Sequence, residues 1–333
     1  MNNTNTFMPP RYLRNAHIQS ALNSIGPRKI RANRLAEKLN SEYLILETAD
    51  GVRLAAEYDL STNRKVCRKD ALVIMIHGWE GSSRSAYQVT TAKYLLDHGF
   101  DVLRINMRDH GDTQHLNKAL FNSTLTPEVA DAIGVFLQQH NYPSVFLAGF
   151  SLGGNFSLRI AADSGKTLGL TAVVAISPPV DPVNAMATLN QGSFIYRKYF
   201  MRRWKNSLRK KLQHFPEYDF AEELKNNKTF DELNNFFVPR YTNFSDTESY
   251  FKSYALTGDR LSKLGIPAHL ITAEDDPVIP VTDLEKITCQ DKLELEIYPF
   301  GGHCGFIMNF RAHSFMEPRL VALFNGYLDC AEG

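Results

Sequence analysis

Residues 144–155 have the sequence SVFLAGFSLGGN, which contains a strand, a motif and the start of a helix. Its first seven residues are mostly apolar, as expected of a strand that is buried on both faces of a sheet. Gly149 to Gly153 then match G-x-S-x-G, and a helical pattern begins at Leu152. Between a strand and a helix this motif holds the serine hydroxyl clear of the sheet, and the glycines leave room for the sharp turn. The motif alone is weak, but its context predicts Ser151 as a nucleophile.

Strand and helix patterns alternate on both sides of this stretch. Upstream of it, two strand patterns flank the turn pair Asp50-Gly51, which predicts an antiparallel hairpin. The predicted strands of the chain lie at 43–47, 52–59, 71–76, 100–106, 144–150, 170–177, 266–273 and 292–298. The predicted helices lie at 85–98, 152–162 and 317–328, and one more begins with Thr126 as N-cap and Pro127 at N1. This order predicts an α/β fold with a mostly parallel central sheet, an antiparallel N-terminal hairpin and right-handed crossovers.

Residues 181–262 interrupt the alternation of strands and helices. They contain no convincing core strand, and they are rich in aromatic residues such as Phe200, Trp204 and Phe237. We interpret this region as an inserted helical cap, or lid. Because it falls between two strands of one sheet, we expect one α/β domain over residues 1–333, with the cap insertion at about 181–262.

The composition of the 333-residue chain is that of a globular protein, with 44% hydrophobic and 22% charged residues. Its 37 basic and 36 acidic side chains nearly cancel, which argues against a dedicated nucleic-acid binder. No apolar run approaches the ~18 residues of a membrane span, and the polar start of the chain shows no secretory signal pattern. The cysteines lie far apart without CxxC pairs, at Cys67, Cys289, Cys304 and Cys330. Together these features predict a cytoplasmic location, in a reducing compartment.

A serine hydroxyl needs a base to take its proton, and histidine is the usual one. Among the ten histidines, His303 lies in the segment FGGHCGF at 300–306, just beyond the last predicted strand. We expect the small residues of that segment to free the loop, so that the imidazole can lie over the sheet edge. His303 is therefore the predicted base. His313 is the nearest rival, but we expect it to lie in a helix and to have a structural role.

A carboxylate must in turn orient the histidine and stabilise its charged form. The segment AEDDPVIP at 273–280 follows an apolar strand, so its carboxylates should emerge at the same edge of the sheet. The proline-bounded turn favours Asp276 over Asp275 as this carboxylate. Asp275 would then cap the turn or support the catalytic residues indirectly. Asp181, in the loop after the preceding strand, is a third candidate.

Acyl transfer also needs hydrogen-bond donors aimed at the oxyanion that develops on the carbonyl. The backbone N–H of Leu152, directly after the serine and at a helix N-terminus, is one expected donor. The second expected donor is the N–H of Trp79, in the segment HGWEGS at 77–82 after the first parallel strand. His77 in this segment is expected to shape the loop rather than to act as a base.

The sequence predicts no cofactor and no metal. No G-x-G-x-x-G pattern follows a strand, residues 149–153 lack the Lys-Ser/Thr ending of a P-loop, and the histidines lack zinc-site spacing. Within the cap, residues 196–211 interleave basic and aromatic side chains, which could contact an anionic membrane surface. A solvated helix whose aromatic residues pack on the core is the commoner outcome, and we favour it. The sequence does not define an oligomeric state.

With these residues in view, most of the chain resembles the YheT-like branch of the α/β-hydrolase superfamily, to which fungal medium-chain ester synthase/esterases and animal lipid hydrolases are similar. The residues that carry the resemblance are Arg14-Asn15-Ala16-His17-Ile18-Gln19-Ser20, similar to a family segment N-A-H-L-Q-T, the His77-Gly78 loop, residues 149–153 with Gly154-Asn155, and Gly301-Gly302-His303. The chain departs from the pattern at 108–112, which is closer to a common R-G-H-G-x-S turn, and at 181–262, which matches no family motif. The resemblance implies the triad Ser151, Asp276 and His303, in the chain order of this fold.

The residues and the resemblance together lead to one main hypothesis, a hydrolase that cleaves carboxylic esters through an acyl-enzyme. The aromatic cap suggests a short- to medium-chain acyl ester as the small-molecule substrate. A first alternative is acyl transfer to an alcohol, as the ester synthase relatives imply, and the triad cannot separate the two. A second alternative, from another class, is a non-catalytic ligand-binding protein on the same scaffold, which would usually lack a triad residue.

Overall fold

The computed structural model describes residues 7–62, 69–288 and 291–329. Within these ranges the strands are β1 (Glu42–Glu47), β2 (Arg53–Asp59), β3 (Ala71–Ile76), β4 (Asp101–Ile105), β5 (Ser144–Phe150), β6 (Ala172–Ile176), β7 (Ala268–Ala273) and β8 (Leu293–Tyr298). They form one sheet in the order β1-β2-β4-β3-β5-β6-β7-β8. The β1–β2 and β2–β4 pairs are antiparallel and the other pairs are parallel. The predicted α/β fold, with a mostly parallel sheet and an antiparallel N-terminal hairpin, is confirmed.

The central strands are buried on both faces, which explains their unbroken apolar sequences. Every residue of β3 (ALVIMI) and of β6 (AVVAI) is buried. At one edge of the sheet β8 has the alternating sequence LELEIY, in which Tyr298 is buried and the other residues are exposed or half-buried. The parallel pair β3–β5 brings Ile76 opposite Gly149, so the loops that follow these two strands lie side by side.

Helices cover both faces of the sheet. They are α1 (Ala16–Ser24), α2 (Pro27–Ala36), α3 (Ala86–Asp97), α4 (Thr126–Gln139), α5 (Leu152–Ser164), α6 (Pro182–Gln191), α7 (Phe194–His214), α8 (Ala221–Asn226), α9 (Phe230–Tyr241), α10 (Thr247–Ser253) and α11 (Met316–Asp329), with short 3₁₀ helices at Arg11–Leu13 and Val281–Lys286. One apolar core contains the inner sides of α4 and α5, for example Phe136 and Phe156. A second core on the opposite face contains α3 and α11, for example Leu95 and Phe324. The loops after the parallel strands therefore converge at one edge, between two helical layers.

Two helices precede the sheet, and the sequence patterns do not predict them. Asn15 caps α1, since its Oδ1 accepts two amides of the first turn at 3.0 and 3.1 Å. In α2 the guanidinium of Arg28 is fully buried, where it donates to Thr90 of α3 at 3.1 Å and to Glu317 of α11 at 3.3 Å. These polar contacts hold the N-terminal helices against the α3–α11 layer.

Residues 181–262, between β6 and β7, contain the helices α6–α10, which we call the insertion. Its helical character is as predicted, whereas its status as a cap on a single domain stays a prediction. Lys211 near the end of α7 is buried and donates to the Asp109 carboxylate at 2.7 Å and to the Ala119 carbonyl at 3.2 Å. This buried ion pair ties α7 to the loop after β4.

The aromatic residues at the start of α7 divide into two groups. Phe200 and Trp204 pack against Trp79, and their ring centroids lie 5.6 and 5.5 Å from that of Trp79. In contrast, Phe194 and Tyr199 are exposed. Among the described residues, no helix has both the length and the apolar character needed to cross a bilayer. Contact of α7 with a membrane surface stays a prediction.

Two local predictions are wrong. Helix α4 begins at Thr126, but its N-cap is Leu125, so the Thr126 side chain does not cap the helix. The Thr126 amide instead donates to the Thr124 carbonyl at 2.8 Å, in the turn before α4. His313 lies in a loop before α11 rather than in a helix, and its Nδ1 contacts the Asn309 amide at 3.2 Å.

The cysteines can be placed only in part. Cys304 is buried, and its thiol donates to the Ile176 carbonyl of β6 at 3.6 Å. Cys67, Cys289 and Cys330 lie outside the described residues. The reducing compartment expected from the cysteine spacing therefore stays a prediction.

Candidate active site

Ser151 occupies the sharp turn between β5 and α5. Its backbone has φ 53° and ψ −122°, a conformation that non-glycine residues rarely adopt, and its amide donates to the Ile176 carbonyl at 2.8 Å. A Cβ at Gly149 would lie 2.1 Å from the Gly153 carbonyl oxygen, and a Cβ at Gly153 would lie 2.4 Å from the Ile76 oxygen. The two glycines are therefore required because the backbone packs this closely, and the turn presents the serine hydroxyl at the sheet edge.

The imidazole of His303 bridges this hydroxyl and a carboxylate. Its Nε2 lies 2.8 Å from Ser151 Oγ, and its Nδ1 lies 2.9 Å from Asp276 Oδ2. The tautomer that fits this network has Nδ1–H donating to the carboxylate and Nε2 accepting from the serine hydroxyl. The structure thus brings together three side chains named from the sequence, in the order hydroxyl, imidazole, carboxylate.

Asp276 is held by the turn that follows β7. Its Oδ1 accepts the amides of Val278 and Ile279 at 2.9 and 3.0 Å, while Oδ2 faces His303. The carboxylate is fully buried. Its orientation is therefore set by hydrogen bonds from the turn, which keep one oxygen directed at the imidazole.

The other two candidate acids have different partners. Asp275 Oδ1 accepts the amide of Gly302 at 2.8 Å, so this carboxylate supports the backbone beside His303. Burial raises the pKa of Asp275. Asp181 caps α6 and pairs with Lys286 at 2.6 Å. Asp276 is thus the carboxylate that meets the imidazole.

The charge state of His303 depends on two opposing effects. Burial is the largest single effect and disfavours the imidazolium, but the Asp276 carboxylate together with Cys304 raises the pKa of His303 well above its usual value. The imidazole is only 13% exposed, so water screens this pair weakly. An imidazole with a raised pKa is a stronger base, suited to hold the proton of Ser151.

The glycines around His303 serve a different purpose from the predicted one. Gly302 has φ 54°, and a Cβ there would lie 2.5 Å from the Ala16 carbonyl oxygen of α1. A Cβ at Gly305 would lie 2.4 Å from the Gln19 carbonyl oxygen. These positions lack side chains because α1 packs directly on the loop. Close packing, rather than freedom of the loop, explains the small residues.

The N-terminal segment is the part of the site that the sequence patterns miss. Ser20 Oγ accepts the backbone amide of His303 at 2.8 Å. Residues 14–20 stand out only through the family resemblance, which gives them no structural role. A contact between positions 283 residues apart leaves no local pattern in the sequence.

The loop 77–82 lies directly beside Ser151. A Cβ at Gly78 would lie 3.1 Å from the Cβ of Ser151, so a larger residue would crowd the serine. Trp79 and Leu152, the predicted oxyanion donors, line the same cavity as Ser151. Their role as donors stays a prediction.

His77 shapes this loop, as expected from the sequence. Its Nδ1–H donates to the Gly78 carbonyl at 2.7 Å, and its Nε2 accepts the Met107 amide at 3.1 Å. The second bond requires an unprotonated Nε2, and burial lowers the pKa of His77 well below its usual value. His110 lies beside it, with ring centroids 4.9 Å apart, and burial lowers the pKa of His110 to about 4. Both rings are therefore neutral parts of the fold.

Ser151 and His303 line two cavities. The first has a volume of about 140 Å³. Its apolar lining consists of Trp79, Phe121, Leu152, Pro179, Pro182, Ala185, Met186, Leu189, Phe200, Trp204, Phe251, Val278 and Ile279. The second, of about 360 Å³, also reaches Ser151 and His303 and is bordered by the cationic Lys29 and Arg203. Ser151 thus lines one cavity with a mainly apolar lining and a second cavity whose lining includes more polar and charged side chains.

Within the described ranges, one group of side chains has a spacing that suits a metal ion. His269 Nδ1 lies 3.4 Å from Glu294 and 3.7 Å from Glu296, at the β7–β8 edge. The Glu296 carboxylate, however, already accepts Arg319 through both oxygens, at 2.9 and 2.8 Å. Because the guanidinium charge opposes a cation there, we interpret the group as an ion-pair network and assign it no metal.

Comparison with known proteins gives this site a family context. Residues 71–310 match the model of a family described as alpha/beta hydrolase fold. YheT of Escherichia coli, which is named as an esterase, is 23% identical over 334 residues, covering 97% of this chain and 94% of the relative. Ethanol acetyltransferase 1 of Cyberlindnera fabianii is 29% identical over 143 residues, covering 40% of this chain and 39% of that protein.

Among solved structures, an esterase of Pyrococcus furiosus superposes with a TM-score of 0.58 at 16% identity, covering 96% of this chain and 100% of that one. At this identity the likeness concerns the fold alone. The family match spans well over half of the chain and includes Ser151, Asp276 and His303. The chain therefore belongs to the α/β-hydrolase fold family and is similar to its YheT-like members.

Proposed function

We propose that this α/β-hydrolase cleaves carboxylic esters through an acyl-enzyme formed on Ser151. One observation carries the proposal: His303 contacts Ser151 Oγ at 2.8 Å through one ring nitrogen and Asp276 Oδ2 at 2.9 Å through the other. A nucleophile, a base and an orienting acid in this arrangement perform acyl transfer on several unrelated folds. The similarity to YheT, which is named as an esterase, supports the hydrolase class.

In the first half-reaction Ser151 Oγ attacks the ester carbonyl carbon while His303 Nε2 takes the hydroxyl proton. A bond forms between Oγ and that carbon, and the carbonyl π electrons move onto its oxygen. The tetrahedral intermediate then collapses, the bond to the alcohol oxygen breaks, and His303 gives its proton to the departing oxygen. Asp276 keeps Nδ1–H oriented and stabilises the imidazolium between these steps.

In the second half-reaction a water molecule takes the place of the alcohol. His303 Nε2 removes a proton from the water as its oxygen attacks the acyl carbon, and a second tetrahedral intermediate forms. Its collapse breaks the bond to Ser151 Oγ, which regains a proton from His303. The carboxylic acid leaves, and the side chains return to their starting protonation states.

We assign the oxyanion donors to the backbone N–H groups of Leu152 and Trp79. Leu152 is the first residue of α5, so its amide has no partner within the helix and lies at the positive end of the helix dipole. Trp79 follows Gly78, at which an added Cβ would lie 3.1 Å from the Cβ of Ser151. Donors at these positions act where negative charge develops, and the loss of one such donor typically lowers kcat by about 100- to 1,000-fold.

The apolar cavity supports a short- to medium-chain acyl group as the part of the substrate bound there. It has a volume of about 140 Å³, reaches Ser151 and is lined by side chains of the insertion and of the loops around the serine. Each methylene of the acyl chain that such a cavity buries contributes about 0.8 kcal/mol to the free energy of binding. The alcohol part of the ester would then lie in the second, more polar cavity.

Acyl transfer to an alcohol is the second candidate function, and two observations favour it. Part of the chain is similar to a protein named ethanol acetyltransferase 1, and the second cavity gives an alcohol its own access to Ser151. Product analysis with added ethanol separates the two functions. A transferase would form more ethyl ester than free acid even with water in large excess, whereas a hydrolase would release mainly the acid.

Hydrolysis of p-nitrophenyl esters over a range of acyl chain lengths tests the main proposal. We expect turnover of short and medium chains, and a loss of at least about 10⁴-fold in kcat for Ser151→Ala. Circular dichroism of the variant controls for folding. Near wild-type turnover by Ser151→Ala, or a folded wild type that hydrolyses none of the esters, would refute the proposal.

A further inference from the structure

The segment 14–20, which the family resemblance singles out, takes no part in the proposed reaction, yet it lies against the loop that carries His303. The carbonyl oxygens of Ala16 and Gln19 approach Gly302 and Gly305 so closely that neither glycine has space for a Cβ. Helix α1 therefore forms one wall of this loop. Because α1 packs this closely, it restricts the positions that the loop can adopt.

Ser20 makes the most direct contact between α1 and the loop. Its Oγ accepts the backbone amide of His303 at 2.8 Å and donates to the Ala16 carbonyl at 2.7 Å. The preceding amide, that of Gly302, donates to Asp275 Oδ1 at 2.8 Å. Two consecutive amides are thus held by side chains, one from α1 and one from the turn after β7. The Cα of His303 has little freedom to move relative to the nucleophile.

Gln19 attaches α1 to the chain beyond the loop. Its side chain is fully buried. Nε2 donates to the carbonyls of Leu13 and Ile307 at 2.8 and 3.2 Å, and Oε1 accepts the Ile307 amide at 2.6 Å. Neighbouring residues of one helix therefore hold the chain at His303 and again at Ile307.

The same helix also contacts the insertion. His17 Nδ1 lies 3.2 Å from the Tyr196 hydroxyl, near the start of α7. Burial raises the pKa of the Tyr196 phenol, and a hydrogen bond with Ser20 opposes that shift. Helix α1 therefore lies between the insertion and the His303 loop and contacts both.

We propose that Ser20 is a positioning residue for His303, and that α1 holds the imidazole within reach of Ser151. The inference rests on the proposed function, because the placement of this imidazole matters only if it acts as the base. It also gives the segment 14–20 a role, in which Asn15 caps the helix, Gln19 attaches it and Ser20 fixes the loop. A shift of about 1 Å in a catalytic group can lower the rate about 100-fold, so a single hydrogen bond here has a measurable effect.

Three variants test the inference by steady-state hydrolysis of a p-nitrophenyl ester. Ser20→Ala removes the acceptor of the His303 amide, and we expect kcat to fall about 3- to 10-fold while KM stays within about twofold. Ser20→Thr keeps the hydroxyl and should restore kcat to within about twofold of the wild type. Ser164→Ala, at the far end of α5 and ~18 Å along the helix from its start, is the matched control and should leave both constants unchanged.

The pH profile distinguishes positioning from a general loss of structure. In Ser20→Ala a loosened loop weakens the contact between His303 and Asp276, so the acidic limb of kcat/KM should move to lower pH. A structural loss alone would reduce the amount of active enzyme and leave the limb in place.

An unchanged kcat in Ser20→Ala, or a raised KM alone, would overturn the inference and leave the proposed function intact. Failure of Ser20→Thr to restore kcat would also overturn it, because the hydroxyl would then not be the group that matters. A wild type without ester hydrolysis would remove the proposed function and this inference together.

Discussion

His303 determines how the activity should depend on pH. Its imidazole must be neutral to accept the proton of Ser151. Burial lowers the pKa of this imidazole, but Asp276 and Cys304 together raise it well above 6.5. We therefore expect kcat/KM to rise with pH through a midpoint above 6.5 and to be lost below it, where the imidazole is already protonated. A pH–rate profile with an uncharged ester measures this midpoint. A midpoint at or below the ordinary histidine value would contradict the prediction.

The carboxylate of Asp276 should be responsible for that midpoint. Asp276→Asn keeps the shape of the side chain but removes the charge that favours the imidazolium, so we expect the midpoint to move to lower pH. We also expect kcat to fall by about 10⁴-fold, because the amide favours the wrong imidazole tautomer.

Asp275→Asn is the matched control, since this carboxylate contacts the Gly302 amide and not the imidazole. Its midpoint should stay near that of the wild type, and its kcat should fall far less than that of Asp276→Asn. Equal losses in the two variants would show that the orienting acid has been assigned to the wrong residue.

Single residues are predictable from the sequence when they follow a strand. Ser151 follows β5 and Asp276 lies beyond the end of β7, so both emerge at the same edge of the sheet. Ser20 gives no such signal, because its contact with His303 joins positions 283 residues apart. The reason for the glycines beside His303 is not predictable either, because they pack on α1, a helix that the sequence patterns do not predict. The roles of these residues in catalysis stay predictions until they are measured.

Helix α7 carries a buried lysine that should anchor the insertion. Lys211 Nζ lies 2.7 Å from the Asp109 carboxylate, and both side chains are almost fully buried. Lys211→Met leaves that carboxylate buried without its cation, so we expect the free energy of unfolding to fall by about 3–5 kcal/mol. Urea titration of the variant and the wild type measures this loss.

Lys210→Met, one residue away, is the control for this experiment. Lys210 pairs with Asp112 on the surface, and exposed pairs contribute at most about 1 kcal/mol. If the two variants lost the same stability, the anchoring role of Lys211 would be wrong.

Helix α6 should limit the length of the acyl chain. Ala185 lines the apolar cavity together with Met186 and Leu189, so Ala185→Leu fills part of its volume of about 140 Å³. We expect kcat/KM for an octanoyl ester to fall about 10-fold or more, and that for an acetyl ester to change less than about twofold. Parallel assays with the two p-nitrophenyl esters measure the difference.

Ala221→Leu, at the exposed start of α8, adds the same side chain outside the cavity and should affect neither ester. An equal effect of Ala185→Leu on acetyl and octanoyl esters would mean that the acyl chain binds elsewhere.

The elements that the sequence predicts are those stabilised by apolar burial. β3 and β6 are unbroken apolar runs and are recognised as such. In contrast, α2 has the sequence PRKIRANRLA and buries Arg28, so a search based on apolar spacing does not detect it. At α4, Pro127 marks the first turn, but the cap falls one residue earlier than the sequence predicts.

Two buried histidines should make the stability of the whole molecule depend on pH. Burial lowers the pKa of His110 to about 4 and that of His77 well below 6.5. The unfolded chain binds protons at both residues near their ordinary pKa of 6.5, so stability is lost as the pH falls from there toward 4. We expect His110 alone to lower the free energy of unfolding by about 3 kcal/mol over that range.

His110→Asn isolates this contribution. The asparagine amide can donate to the Arg108 carbonyl, as His110 Nδ1 does at 2.7 Å, but it does not titrate. Urea unfolding at a series of pH values should show a shallower loss of stability in the variant than in the wild type. Parallel pH dependences in the two proteins would contradict the buried neutral state of His110.

In the whole molecule, the candidate site combines parts of the chain that match the family with parts that do not. Strands β3 to β8 and the Ser151 turn fall within residues 71–310, the range that matches the family, whereas β1 and β2 precede it. Helix α1 lies outside that range, and the insertion within it matches no motif that we recognise. We therefore expect the residues at the edge of the sheet to determine the reaction. We expect the insertion and the second cavity to determine which substrate binds.

Covalent labelling by a fluorophosphonate tests most directly whether His303 activates Ser151. We predict one adduct per chain, on the peptide that contains Ser151, with no adduct in Ser151→Ala and strongly slowed labelling in His303→Ala. Labelling of His303→Ala at the wild-type rate, undiminished labelling of Ser151→Ala, or an adduct on another residue of the wild type would contradict the activation of Ser151 by His303.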